Sequence, residues 1–470
     1  MRSTPQSLSP FMLPGSIAVV GAGDRPTSSG GAVLRNLVKS RYAGRIVPVN
    51  PKGGELLGIP VATSLREVSP PCELVVIVVR PDAILDVAQE AAATGHRNLL
   101  ILPGGFAEGG EEGQARDRAL RALASQHGMT VAGPNCAGLI NLLDAERPYA
   151  ATFFRDLPRG GGVALISQSG AIAEEAISAS HVAGIPLGAI VSVGNAMHLG
   201  VLEYLHSLGE DPTCRVILLY AETFGDEASF KAVAREVALR KPVVALIGGR
   251  TPPGREAARR HTGSAAPTDA QAAALCRDAG LVRVTSLREL LLAGKALAAH
   301  PDGIGRRVLL LSNSGGPGVL CADRCADEGL ALPALPAKLE TRLRAFFPPE
   351  AVAANPLDLL ADAREDRFGE TLQAVIDEAG GAFDAILAIH VVPFMVDANP
   401  VVARLASLAR DARLPMLHAM MGTLEGKQDW MRQMEQAGVP LFDNVEDMAA
   451  AAGLLAGHRE ARKAMQGGPA

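Results

Sequence analysis

What most restricts the fold of this chain is the alternation, from end to end, of short apolar runs with amphipathic, Ala-rich stretches. Four to six consecutive apolar residues suit a strand buried on both faces. A helix-period stretch between two of them is the crossover that joins parallel neighbours. The pattern predicts βαβ units and hence an α/β fold of doubly wound parallel sheets. Aromatics make up 4% of 470 residues, against 50 glycines, which suits small-residue packing and tight βα turns better than a β-sandwich. At roughly 150 residues per domain, the length corresponds to about three domains, each able to bury its own core.

Charge excludes some partners. The 45 Lys+Arg and 50 Asp+Glu are interspersed, with net charge −5, so no basic stripe is offered to nucleic acid or to anionic lipid. The longest apolar runs, such as Leu74–Val79 and Val308–Leu311, fall far short of the ~20 residues of a membrane span. Cys72, Cys136, Cys214, Cys276, Cys321 and Cys325 form neither a C-x-x-C pair nor a dense framework. With no secretory signature at the N-terminus, a reducing cytoplasm is expected. Cys321 and Cys325, four apart in a predicted helix without His or acid at ligand spacing, read as small buried residues, and no structural metal is expected.

Three blocks follow. In the first, strands are predicted at 17–20, 45–49, 74–79, 98–102 and 130–132, with a helix near 32–40. Periodicity fades between Asp144 and Gly162, across Pro148, Pro158 and three glycines, which marks a boundary. The second block has predicted strands at 163–166, 189–193, 216–220, 243–247 and 282–284, and the helix 287–300 closes it. The third opens at 308–311 and continues through strands at 385–390 and 416–418. Predicted domain ranges are 1–148, 149–302 and 303–470. No short-period repeat is visible, yet blocks two and three share one plan of strand, Ser- or Gly-rich turn and helix.

Gly21-Ala-Gly23, continuing to Ser29-Gly30-Gly31, follows a strand and opens a helix, so its N–H groups and the helix N-terminus can face a phosphate. It is not the dinucleotide fingerprint, because Pro26 stands where the last glycine belongs. Asn50-Pro-Lys52 ends the second strand where an NAD site places a carboxylate, and a cation there suits phosphate instead. Loops at Arg80-Pro81, at Gly104-Gly105-Phe106-Ala-Glu108 and at Gly133-Pro-Asn135-Cys136 fall at the carboxyl edge of the same sheet. Four loops on one crevice suggest an elongated ligand with several phosphates. Ser167-Gln-Ser169-Gly170, between a strand and a helix, reads as a helix-start anion site and equally as an ordinary N-cap. Ser312-Asn-Ser-Gly-Gly316 repeats the pattern, with a structural or interface duty as its alternative.

These residues match a known family. Val19-Val-Gly-Ala-Gly23, Ile46-Val-Pro-Val-Asn-Pro-Lys52, Pro103-Gly-Gly-Phe-Ala-Glu108 and Gly133-Pro-Asn-Cys136 resemble the CoA-binding domain of succinyl-CoA synthetase and of the NDP-forming acyl-CoA synthetases. Asn313-Ser-Gly-Gly-Pro-Gly-Val319 and Asn355-Pro-Leu-Asp358 resemble the third domain of the ADP-forming acetate–CoA ligase type. The resemblance implies a Rossmann-like CoA-binding domain followed by two flavodoxin-like domains. It also implies the reaction acyl-CoA + NDP + phosphate to carboxylic acid + CoA + NTP, through an acyl phosphate and a phosphohistidine. CoA would contact Gly21, Gly23, Ser29, Gly30, Asn50, Lys52, Pro81, Gly104, Phe106 and Asn135.

Of ten histidines, His261 stands out by its setting in Arg259-Arg-His-Thr-Gly263-Ser264 after the Pro/Gly-rich Thr251–Gly254, which predicts an exposed, movable loop. The motif is similar to the family's phosphohistidine loop. The resemblance makes His261 the nucleophile, Glu222 the carboxylate that orients it, and Ser167, Ser169, Gly170 and Gly263 the holders of phosphate. A neutral imidazole suits this duty, since one nitrogen attacks while the other donates to a carboxylate.

Three departures qualify the match. The loop after Ser192-Val-Gly-Asn195 is shorter than in relatives and has no aspartate before Glu203. The strand before the nucleophile ends in Ala245-Leu-Ile-Gly-Gly249 where relatives often place a lysine, leaving Arg250, Arg255, Arg259 and Arg260 as substitutes. No stretch resembles an ATP-grasp domain. The resemblance therefore implies an ATP-grasp β subunit that binds ADP/ATP with Mg, in a hetero-oligomer or around a homodimer of α chains. A non-catalytic CoA-binding or regulatory protein, and a same-fold acyl- or carbamoyl-phosphate transferase, stand as alternatives.

Overall fold

In the computed structural model, residues 8–262, 266–392, 397–412, 414–422 and 426–467 are described, without the side chains of His261, Thr262 and Asp411. Three parallel sheets are built on one strand order. In the first, Arg45–Val49, Ser16–Val20, Leu74–Ile77, Asn98–Ile101 and Thr130–Ala132 lie side by side. Numbered within the sheet, this is order 2-1-3-4-5, in which the chain winds first one way and then the other from a central strand. Val282–Val284, Val243–Ile247, Val216–Ala221, Val163–Ser167 and Leu187–Ser192 repeat that order in the second sheet. Leu357–Asp358, Val308–Ser312, Ala385–Val391, Met416–Met421 and Leu441–Phe442 repeat it in the third. The central strands are apolar and buried along their length because helices cover both faces.

The fading of periodicity after Asp144 hides more structure than expected. Gly138–Asn141 and Tyr149–Thr152 form an antiparallel pair that extends the second sheet beyond Leu187–Ser192. Each strand has only four residues, too short to assert a period against the turn residues between them. Gly138 has φ +106, and a Cβ there would sit 2.1 Å from Ala151 O, so glycine is required for the pairing. The hairpin also ties the first sheet to the second. Asn36, buried on the helix Ser29–Lys39, donates to Thr152 O and Phe154 O, both at 2.8 Å.

Contacts divide the chain into two compact units, Met1–His181 with Pro186–Thr285, and Val182–Ile185 with Ser286–Ala470. The first holds two sheets. The helix Leu287–Ala299, read from sequence as closing the second block, packs against Val445–Met465 in the second unit. All six cysteines are buried and free. Among the described residues no helix is long and apolar enough to cross a membrane.

The core of the second unit contains two imidazoles that only neutrality makes tolerable. His390 and His418, on adjacent strands, are 1% and 0% exposed and lie parallel with centroids 6.2 Å apart. Nδ1 of His390 and both nitrogens of His418 lack hydrogen-bond partners among the described residues. Burial depresses His390 to about 4. Burial, and then the charge of His390, depress His418 to about 3. The unfolded value is near 6.5, so the folded unit keeps full stability above that pH. It loses about 1.4 kcal/mol per pH unit and per ring as pH falls from 6.5 toward the folded values. Trp430, the single tryptophan, is 6% exposed in the same core and reports this unit by fluorescence. Replacing both rings by leucine should move its acid transition down by about half a pH unit or more. An unmoved transition would show that other groups limit acid stability.

Candidate active site

A doubly wound sheet gathers ligands where its winding reverses, because the two crossovers leave on opposite faces and open a crevice at the carboxyl ends. In the second sheet that point lies between Val163–Ser167 and Val216–Ala221. One strand runs into Ser167-Gln-Ser-Gly170 and the other into Glu222-Thr223, so topology alone brings together the serine turn and the glutamate expected from sequence. Gln168 fastens them. Its Oε1 accepts from Glu222 N at 2.6 Å and from Thr223 N at 3.1 Å, and its Nε2 donates to Thr223 O at 2.8 Å. Glu222 is 5% exposed, and the Tyr220 hydroxyl donates to its Oε1 at 3.0 Å.

The serines divide their duties. Ser167 is fully buried. Its hydroxyl donates to Ser169 O at 2.7 Å and accepts from Ser169 N at 3.1 Å, which shapes the turn. Ser169 caps Gly170–Ala183, its Oγ accepting from Ile172 N at 3.4 Å. First-turn N–H groups, which an α-helix leaves without carbonyl partners, then face the crevice mouth.

The neighbouring strand Val243–Ile247 ends in Gly248-Gly249 and feeds the helix Pro252–Thr262. A Cβ at Gly248 would lie 3.1 Å from Glu222 Cγ and 3.2 Å from the Tyr220 hydroxyl, so this glycine leaves room for the pair. His261 sits in the last turn of that helix where a loop was expected, because Glu256 pairs with Arg259 and Arg260 at i,i+3 and i,i+4 and supports helix. The His261 side chain and Gly263 lie outside the described residues. Those pairs also occupy two of the arginines expected near phosphate.

In the first sheet the glycine turn is close-packed by necessity. Gly21 has φ +93, and its N–H donates to Val49 O at 3.0 Å. Cβ atoms at Gly30 and Gly31 would lie 2.1 Å from Gly21 O and 2.2 Å from Gly23 O, so the helix lies directly on the turn. Its cap is Ser28, whose Oγ accepts from Gly31 N at 3.1 Å, and Ser29 is exposed in the first turn. Asn50 Nδ2 donates to Ala22 O at 2.6 Å and its Oδ1 accepts from Lys52 N at 3.0 Å, which leaves the Lys52 side chain exposed beside the turn.

Phe106 was expected to contact CoA. Its ring is 0% exposed in the sheet core, drawn in by the apolar environment under the loop. Pro81 packs beneath Gly105 instead, 3.1 Å from where a Cβ would be.

Three loops meet at Glu108, which sequence reading did not single out as a site residue. Its Oε1 accepts from the N–H groups of Gly105 and Phe106, and its Oε2 accepts from Asn195 Nδ2. Asn195 Oδ1 accepts from Asn135 Nδ2 at 3.2 Å. Partial burial pushes the Glu108 carboxyl up, but the hydrogen bonds from Asn195 and the loop N–H groups outweigh it and hold it below the usual range. A Cβ at Gly104 would meet Glu108 Oε1 at 2.7 Å and Asn135 Oδ1 at 2.9 Å. Gly104 and Asn135 thus lie at one junction, with Asn195 arriving from the second sheet.

The other residues missed were Gln168 and Tyr220. Their only sequence signal was place, between two serines of an anion turn and two residues before the expected glutamate. The second unit repeats the device. Ser312 Oγ donates to Ser314 O at 2.7 Å and accepts from Ser314 N at 3.0 Å, while Asn313 exchanges two hydrogen bonds with Val391 at 2.8 and 2.9 Å. One group among the described residues could offer metal ligands, His206, Glu210 and Glu236, but Arg240 already pairs with both carboxylates.

Comparison with known proteins gives matches along most of the chain. A family model described as a CoA binding domain matches residues 15–141, a succinyl-CoA ligase like flavodoxin domain matches 160–297, and a Ligase-CoA domain matches 308–466. The chain is 32% identical to the acetate–CoA ligase [ADP-forming] II subunit alpha of Pyrococcus furiosus, over 94% of this chain and 96% of that one. It is 33% identical to the acetate–CoA ligase [ADP-forming] I of Archaeoglobus fulgidus over 80% of this chain, and the match spans 54% of that longer protein. A solved structure of the Ca. Korarchaeum cryptofilum dinucleotide forming acetyl-coenzyme A synthetase 1, with phosphate and ADP, superposes with TM-score 0.89 and 30% identity over 98% of both chains.

The packing of Gly30 yields a direct test. Gly30→Ala forces a methyl against Gly21 O, so it should destabilise the chain by about 1–3 kcal/mol. It should also weaken CoA binding at least tenfold in calorimetric titration. Unchanged melting and binding would show that the turn relaxes freely.

Proposed function

The chain belongs to the α subunits of the ADP-forming acetate–CoA ligases, and from that premise we propose how its own residues carry the acyl-CoA synthetase reaction. The observation that carries the proposal is the fixed pairing of the serine turn with Glu222 across the switch point of the second sheet. Phosphate rests on Ser169 and the Gly170 helix start. One phosphate oxygen attacks the thioester carbonyl, the C–S bond breaks, and the departing sulfur takes the phosphate's proton to give free CoA and acyl phosphate. A neutral His261 then attacks phosphorus. The N–P bond forms, the P–O bond to the acyl group breaks, and the carboxylate leaves. The remaining ring N–H donates to Glu222, which stabilises the phosphoimidazolium.

CoA lies on the first sheet, its phosphates against the Gly21–Gly31 turn and the Lys52 ammonium, its thiol end toward Gly104 and Asn135. The last step needs a nucleotide, and we assign ADP/ATP with Mg to an ATP-grasp β subunit that receives phosphate from His261. The cation sites belong to that partner, and no step on this chain runs through them.

Incubating the purified chain with acetyl phosphate labelled in the phosphoryl group should give an acid-labile, base-stable phosphoprotein. His261→Ala should abolish the label, and Glu222→Gln should slow labelling about 100-fold, the scale of losing one preorganised charged partner. Retention of label by His261→Ala would overturn the nucleophile.

A further inference from the structure

We propose that Tyr220 is a positioning residue of the phosphoryl-transfer site, holding the Glu222 carboxylate in the orientation that receives the His261 ring N–H. The inference rests on the role given to Glu222 above and goes beyond it to the group that sets that carboxylate's direction.

Tyr220 and Glu222 straddle the end of the strand Val216–Ala221 and lie two residues apart, where alternation puts both side chains on one face. The strand leaves Tyr220 half-buried, with its hydroxyl 3.0 Å from Glu222 Oε1. The phenol is the donor and the carboxylate the acceptor, a charge-assisted arrangement that fixes one carboxylate oxygen. Burial first, then the adjacent Glu222 charge, push the phenol well above its ordinary pKa, so it remains protonated and able to donate throughout the neutral range.

Two surrounding features show that the pair is built in. Gln168 fixes the Glu222 backbone with a hydrogen bond at 2.6 Å, and the Tyr220 hydroxyl restrains its side chain at Oε1. Gly248 on the adjacent strand presents no side chain where a methyl would lie 3.2 Å from that hydroxyl and 3.1 Å from Glu222 Cγ. A β-branched residue there would displace the contact. Among the described residues, the Tyr220 hydroxyl donates to Glu222 and not to the serines of the phosphate cradle. Its effect therefore passes through Glu222, which separates it from a catalytic residue.

The test is a double-mutant cycle on the rate of phosphoenzyme formation, with the full chain and labelled acetyl phosphate as the probe. Tyr220→Phe should slow uptake about tenfold, the scale of one hydrogen bond to a charged group. CoA affinity by calorimetry should stay unchanged, which separates the effect from general damage. In a Glu222→Gln background, Tyr220→Phe should change the residual rate by less than about twofold, since the charge it holds is gone. An equal slowing in both backgrounds, or none in the native one, overturns the proposal. If Glu222→Gln itself labels at the native rate, the role of Glu222 fails and Tyr220 loses its object. If Glu222→Gln takes up no label, Tyr220→Phe decides alone: slowed uptake with unchanged CoA titration supports the assignment, and native uptake overturns it.

Discussion

One amide ties the site together. At the switch point of a doubly wound sheet, the two central strands send their crossovers to opposite faces, and their backbone pairing stops at Gln168 N to Tyr220 O, so the loops beyond need a further reason to stay at a fixed separation. Gln168 supplies that reason with three hydrogen bonds between the serine turn and the loop of Glu222 and Thr223. Each is worth only about 1 kcal/mol net, but breaking one leaves a partly buried amide unsatisfied, which costs more than the bond contributes. The brace therefore sets geometry more than stability. Asn313 spans the same position in the third sheet with one fewer methylene, reaching Val391 through two hydrogen bonds. Two sheets that share a strand order thus share its mechanical solution.

Close packing does the corresponding work in the first sheet. Gly30 and Gly31 allow the helix Ser29–Lys39 to rest on the turn with no intervening side chain, and Ser28 satisfies a first-turn donor from outside. The N–H groups and dipole of that helix are held against whatever occupies the crevice. Asn50 secures the next loop to Ala22 O, which brings Lys52 beside the same position without using its ammonium. Helix end and lysine together make a region of positive potential suited to the phosphates of CoA, consistent with the matched domain model.

The sequence was legible where a residue's role followed from local pattern. Buried parallel strands appear as apolar runs because both faces are covered, and all strands expected in the first two blocks are present. Serine and glycine turns were visible because their chemistry lies in consecutive positions. What escaped depended on residues far apart. The hairpin Gly138–Asn141 with Tyr149–Thr152 has strands too short for a period, and Leu357–Asp358 and Leu441–Phe442 have only two residues each. Phe106 looked like a ligand contact by its place in a loop, and only the packed core shows where its ring goes. Tyr220 and Gln168 carry no spacing signal, since their partners are set by which strands become neighbours. His261 was expected on a loop because proline and glycine precede it, whereas Glu256 with Arg259 and Arg260 favours the helix that forms.

Under the proposed role of His261 as phosphoryl carrier, the carboxylate beside the anion site acts differently on the two states of the ring. A phosphate bound as proposed on the serine turn would experience like-charge repulsion from the Glu222 carboxylate that the helix N-terminus only partly offsets. An imidazole placed between them changes the sign of that interaction. In the proposed phosphohistidine, the remaining N–H would carry positive charge toward Glu222. The same carboxylate thus disfavours free phosphate and favours phosphohistidine. That difference is the form of binding that lowers a barrier, because it grows as the N–P bond forms. In that proposal the carboxylate must stay where the ring arrives, which gives the bracing by Gln168 and Tyr220 its purpose.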